Sequence, residues 1–171
     1  MGGLGGRVDQ AFSQIHYLYS CTQLPPSDAG RPEGNLYLVS EESVSFILPQ
    51  GFNMILTPGG STLGHKPASP PSTASDIQSH APNGHVARDF EVEKSNACLS
   101  ENVGIIPVAG PAVITLTGFE WDVQDWKTEI GGQLSTSNHI RADVVTVETS
   151  IPVLFTIELA PHLKFNGGKV H

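Results

Sequence analysis

Histidine and carboxylate side chains could bind a metal ion, and four of them, His65, Asp76, His80 and His85, fall close together in one stretch. Imidazole nitrogen and carboxylate oxygen together make a donor set for a divalent cation. Their spacing matches no familiar site, however, and metal ligands usually sit on rigid elements with supporting hydrogen bonds. Solvated loop histidines are the expected outcome, with no cofactor. A cupin-like metal enzyme would want ligands on facing strands, and there only His139 stands near a strand start.

Carboxylates offer a second chemistry. Glu120, Asp122 and Asp125 flank Trp121 and Trp126, and two carboxyls set across a cleft can cleave a glycosidic bond. Without cleavage, Asp122, Gln124, Asp125 and Trp126 would make a patch for a sugar, an aromatic face beside acids and an amide. Against this, Trp121 falls in phase with apolar positions and the acids alternate outward, the pattern of a solvated strand face.

Glycine-rich segments complete the inventory. A phosphate loop needs its glycines between a strand and a helix, with a lysine for the phosphates. Gly2 to Gly6 have no strand before them, and Gly59-Gly60-Ser61 has no lysine. Ser61 also misses the nucleophile elbow by one position and no helix context follows it. No enzymatic activity is therefore expected.

Charge limits the partners. The chain carries 17 acidic and 9 basic residues, a net −8, and no two of the basic ones are adjacent. Phosphate backbones need a basic groove, so no nucleic acid is expected. The apolar runs fall far short of the roughly 20 residues of a membrane span. No signal peptide is seen at the N-terminus, and Cys21 and Cys98 are expected as separate thiols, so the chain reads as cytoplasmic unless it is part of a virion. Charged residues make up 15% of the 171, against about 25% in an ordinary soluble domain. Interface cores are depleted in charge, so a surface covered by neighbouring subunits is the favoured reading.

The elements that must position these groups are mostly strands. Val8, Phe12, Ile15 and Tyr19 recur at helical spacing and predict a helix over 7–20, and the Pro- and Gly-rich segment 24–34 breaks it. From there the pattern alternates. Val44, Phe46 and Leu48 share one phase, which Phe52, Met54 and Leu56 continue after a turn at 49–51. A half-buried strand is expected at 86–93, and another at 103–108. Apolar phase reverses at Gly118, which predicts one bent strand over 112–123 with a bulge there. A short strand is expected at 128–130. Residues 145–159 alternate strictly, divided at Pro152. Residues 57–87 form a long Pro/Ser/Gly-rich loop, uncommon inside a compact domain.

About eight or nine strands and a single helix call for an all-β, single-domain antiparallel β-sandwich, expected to be jelly-roll-like. Residues 1–34 would be an N-terminal arm and connector, 35–160 the sandwich, and 161–171 a C-terminal tail. In size, strand number and uncharged polar composition the chain resembles single jelly-roll virion proteins. The resemblance implies a non-enzymatic structural subunit of a large symmetric assembly, a viral or phage capsid, cement or decoration protein, with copies of itself or other structural proteins as partners. A carbohydrate-binding β-sandwich module is the alternative, and a metal-dependent cupin-like enzyme the third.

Overall fold

The computed structural model describes residues 7–25, 28–30, 34–57 and 98–164. The strand expected at 86–93 lies outside the described residues, as do His65, Asp76, His80 and His85. Among the described residues come, in chain order, one helix, α1 (Val8–Gln23), and nine strands: β1 (Leu38–Val39), β2 (Ser43–Leu48), β3 (Gly51–Leu56), β4 (Leu99–Ile106), β5 (Ala112–Thr117), β6 (Val123–Thr128), β7 (Ser135–His139), β8 (Val144–Thr149) and β9 (Val153–Leu159).

Two antiparallel sheets result, one ordered β1-β2-β9-β4-β7 and the other β3-β8-β5-β6. The pairing is nested, β2 with β9, β3 with β8, β4 with β7 and β5 with β6. This is the two-sheet sandwich that alternation predicts. The finer expectation, a jelly-roll-like sandwich, needs correction. Among the described residues the sheets are unequal in strand number, and α1 packs on the outside of the larger one, because its apolar residues find a matching apolar strip there.

The main core lies between the sheets. Val103, Ile105, Ile114, Leu116, Val145, Val147, Val153, Phe155 and Ile157 are all buried in it. Full burial of such a side chain stabilises by about 1.5–3 kcal/mol, so these positions supply most of the driving force. A second cluster joins Leu18 of α1 to Ile47 and Leu154 on the outer face of the larger sheet, with Ile15, Tyr19, Leu36, Leu38 and Ile106 around them. Ile15 and Tyr19 thus face inward as their spacing predicts. Val8 and Phe12 are exposed instead, since the buried stripe is centred on Leu18 and Cys21 and takes in nothing from the first turns.

Three local departures from the sequence pattern matter. Val44, Phe46 and Leu48 face the main core, whereas Phe52, Met54 and Leu56 are exposed. The chain passes from one sheet to the other between β2 and β3, at a turn ending in Gly51 with φ +102, and the crossing inverts the inward phase. Second, the expected single strand 112–123 is a hairpin, because β6 turns back to pair with β5. The reversal at Gly118 marks a turn, with φ +91. The bulge occurs further on, where Gln124 and Asp125 together oppose Thr115, and Asp125 takes φ +48. Third, residues 128–130 do not form a separate strand: Thr128 ends β6 and a turn follows.

Candidate functional site

Between β5 and β6 the chain makes a corner over residues 118–122, and Asp122 holds it. Its carboxylate oxygens accept from the backbone N–H of Phe119 at 2.8 Å and of Gly118 at 3.2 Å. Short acidic side chains commonly cap turns in this way. Phe119 is buried and anchors the corner to the core. Two backbone bonds stitch it to the neighbouring chain: Glu120 N donates to His139 O at 2.8 Å, and Arg141 N donates to Gly118 O at 2.9 Å.

Trp121 sits at the tip of this corner with 52% of its surface exposed. Its ring centroid is 5.4 Å from that of His139, at 50°. The large indole, left half open on a pinned turn and not folded into the core, presents a flat apolar face to solvent. Beside it lies a line of charge. Arg141 bridges Glu120 and Glu101, and the hydrogen bond to Glu120 first, then that to Glu101, holds its pKa above the ordinary guanidinium value. His139 Nδ1 lies 2.9 Å from Glu120 Oε2. It has no aligned hydrogen-bond partner among the described residues although it is buried, so the contact is one of proximity.

A groove of about 410 Å³ runs across the uncovered end of the larger sheet, beside the strip that α1 covers. Gly104 and Thr156 lie in it, Ser43 and Glu42 on one side, Thr136 and Ser137 on the other, with Asn102 and Glu158 at one end. Lys164, and then Asn102, hold the Glu158 carboxyl below its ordinary pKa. Lys164 in turn is raised, by Glu158 first and Glu42 second. Ser137 takes φ +57, which twists β7 just before Asn138.

The residues named for a sugar patch are not gathered into one face. Asp122 is committed to the corner; Gln124 and Asp125 form the bulge, where Asp125 N donates to Thr115 Oγ1. Trp126 packs against the main core. The two tryptophans have thus exchanged the roles their phase suggested, Trp126 inward and Trp121 outward, because the corner at 118–122 resets the alternation. The polar strand β7 and its buried Asn138 were missed altogether. Its Ser-Thr-Ser-Asn sequence carries no apolar alternation, and the signal available was the phase reversal at Gly118. Among the described residues, no three His, Cys, Asp or Glu side chains converge as a metal site, and no helix is long and apolar enough to cross a membrane.

Residues 89–154 match the family described as thiamin pyrophosphokinase, vitamin B1 binding domain. Among curated proteins, the chain is 31% identical over 159 residues to thiamine pyrophosphokinase 2 of Arabidopsis thaliana and 39% identical over 159 residues to thiamine pyrophosphokinase 2 of Oryza sativa, each match covering 92% of this chain and 42% of the relative. The chain therefore spans less than half the length of these relatives. Among solved structures, the thiamin pyrophosphokinase of Candida albicans superposes with a TM-score of 0.63 at 22% identity, over 92% of this chain and 43% of that one. The yeast enzyme gives 0.64 at 18% identity, over 96% and 40%. The sandwich is thus the one found in these kinases and not that of the virion proteins the composition resembled. These matches overturn the expectation of a non-enzymatic capsid, cement or decoration subunit, together with its virion location and its structural partners. Low charge misled because it reports only that a surface is neutral, not what covers it.

Proposed function

We propose that this chain is the vitamin-binding part of a thiamine pyrophosphokinase, in which residues 35–160 form the sandwich and α1 buttresses its outer face. Thiamine is a cation built of two flat heteroaromatic rings. An exposed indole attracts such a ligand through stacking and through the charge it offers to a cation. Trp121 lies inside the segment that matches the vitamin B1 binding domain, and its open ring is the observation that carries the reading. Glu120 and Glu101 share the single Arg141, so the three side chains keep one net negative charge beside it. The chain's net −8 suits a cationic ligand and disfavours a polyphosphate.

Titration of thiamine into the purified chain by calorimetry tests this. Binding is expected, weakened at least about ten-fold, or about 1.4 kcal/mol, by Trp121→Ala. A folded wild-type chain that takes up no thiamine, or a Trp121→Ala variant that binds it as well as wild type, would overturn the proposal.

A further inference from the structure

The corner residue Trp121 has its backbone N–H and C=O engaged by one side chain. Asn138 Oδ1 accepts from Trp121 N at 3.1 Å, and Asn138 Nδ2 donates to Trp121 O at 3.0 Å. The same Oδ1 accepts from His139 N at 2.8 Å. Asn138 is 2% exposed. Backbone pairing between the corner and β7 stops at the bond from Glu120 N to His139 O, and the next residue along the corner is Trp121. At that point the amide of Asn138 supplies the donor and acceptor that another strand residue would have supplied.

We infer that Asn138 is the positioning residue of the vitamin site: it fixes the peptide of Trp121 so that the indole stays open to ligand and does not collapse onto the surface. The inference rests on reading Trp121 as the platform. Only an amide can do this work with both edges, since it presents a donor and an acceptor side by side. A carboxylate in the same place keeps the acceptor, loses the Nδ2 donor, and sets a negative oxygen against the carbonyl of Trp121. Ser137, held at φ +57, supplies the twist that precedes Asn138 and turns β7 at this point.

The test uses Trp126→Phe as the background, so that Trp121 alone emits. In that protein, Asn138→Asp is expected to lower acrylamide quenching of Trp121 at least two-fold, or shift its emission to shorter wavelength, as the released indole collapses onto the surface, and to weaken thiamine binding at least ten-fold, while Asn102→Asp leaves the emission unchanged. Should Asn138→Asp fail to fold, hydrogen exchange in the wild-type chain decides instead. The Trp121 amide, bonded only to the Asn138 side chain among the contacts described, is expected to exchange at least about a hundred-fold more slowly than an open turn amide. Unaltered quenching and emission in Asn138→Asp, or unprotected exchange at Trp121, overturns the inference. Neither readout depends on thiamine. A wild-type chain that binds no thiamine while Asn138→Asp still alters Trp121 emission defeats the functional reading and leaves the positioning of Trp121 established.

Discussion

Ser45 donates its hydroxyl hydrogen to Thr156 Oγ1 at 2.9 Å, across the β2–β9 pair and on the face of the sheet that lies away from the main core. Ser45 is fully buried, whereas Thr156 also lines the groove. The two hydroxyls are therefore unequal partners. Thr156→Val leaves a buried donor without an acceptor and is expected to cost about 1–3 kcal/mol, whereas Ser45→Ala leaves an oxygen that water can reach and should cost about 1 kcal/mol. Replacing both should cost less than the two single losses combined, as a denaturant double-mutant cycle would show.

Gly118 is a second sensitive point. Its φ of +91 is a region that side chains other than glycine rarely enter, and an added Cβ would lie 3.0 Å from Val144 O and 3.2 Å from both Ala142 Cβ and Val145 Cγ1. Gly118→Ala is expected to cost about 2–3 kcal/mol, lowering Tm by roughly 4–10 °C. Gly34→Ala, at φ +81 but with nothing within 4 Å, should cost about 1 kcal/mol. Thermal melts of the two variants separate crowding from backbone strain.

The tryptophans should part in their effects. Trp126→Ala removes packing from the main core and is expected to cost about 3 kcal/mol. Trp121→Ala removes a largely exposed ring and should stay within about 1 kcal/mol of wild type. Denaturant midpoints check stability, and thiamine titration checks function. Stability and binding should be lost by different variants.

Acid titrates the groove. Lys164 and Asn102 hold the folded Glu158 carboxyl below its ordinary pKa, so its contribution is present above the unfolded value of about 4.3 and disappears as pH falls through the lower folded value. Glu158→Gln should remove this part of the acid dependence, and its stability should fall less steeply than wild type from pH 5 downward. Lys164 has the opposite sign. Its raised folded pKa means its contribution is complete below the ordinary lysine value and is lost as alkaline pH passes the folded one. Denaturant unfolding at a series of pH values reads both limbs.

Strand identity was legible where a strand alternates regularly against the main core, and not in β6, whose Val123 and Trp126 pack on that core but are separated by the bulge at 124–125. The run from Val145 to Leu159, with its division at Pro152, reads off the sequence because Val145, Val147, Val153, Phe155 and Ile157 all point into the same core. What could not be read was anything that depends on which sheet a strand joins. Phe52, Met54 and Leu56 have the same alternation as Val44, Phe46 and Leu48, and only the crossing between sheets, a tertiary event, turns them outward. The site depended on the same kind of information. Trp121 looked like core by period two, and Asn138 looked like a loop residue, because an amide that replaces a strand partner leaves no periodic trace. Asp122 was seen as a possible ligand and is a turn cap, since the same short carboxylate serves both ends.

The nested pairing of the strands also governs how the chain reaches this fold. Ser43 is paired with Glu158 and Gly51 with Thr149, so the outermost ladders join positions about a hundred residues apart and close last in entropy terms. Hairpin β5–β6 is the local pair from which the rest can grow. Folding is expected to be slow for the chain's size and close to all-or-none, since the late ladders gain little until both ends are present. A fragment cut to 89–154 would lack β2 and β3 and most of β9, leaving β8 an open edge prone to aggregation.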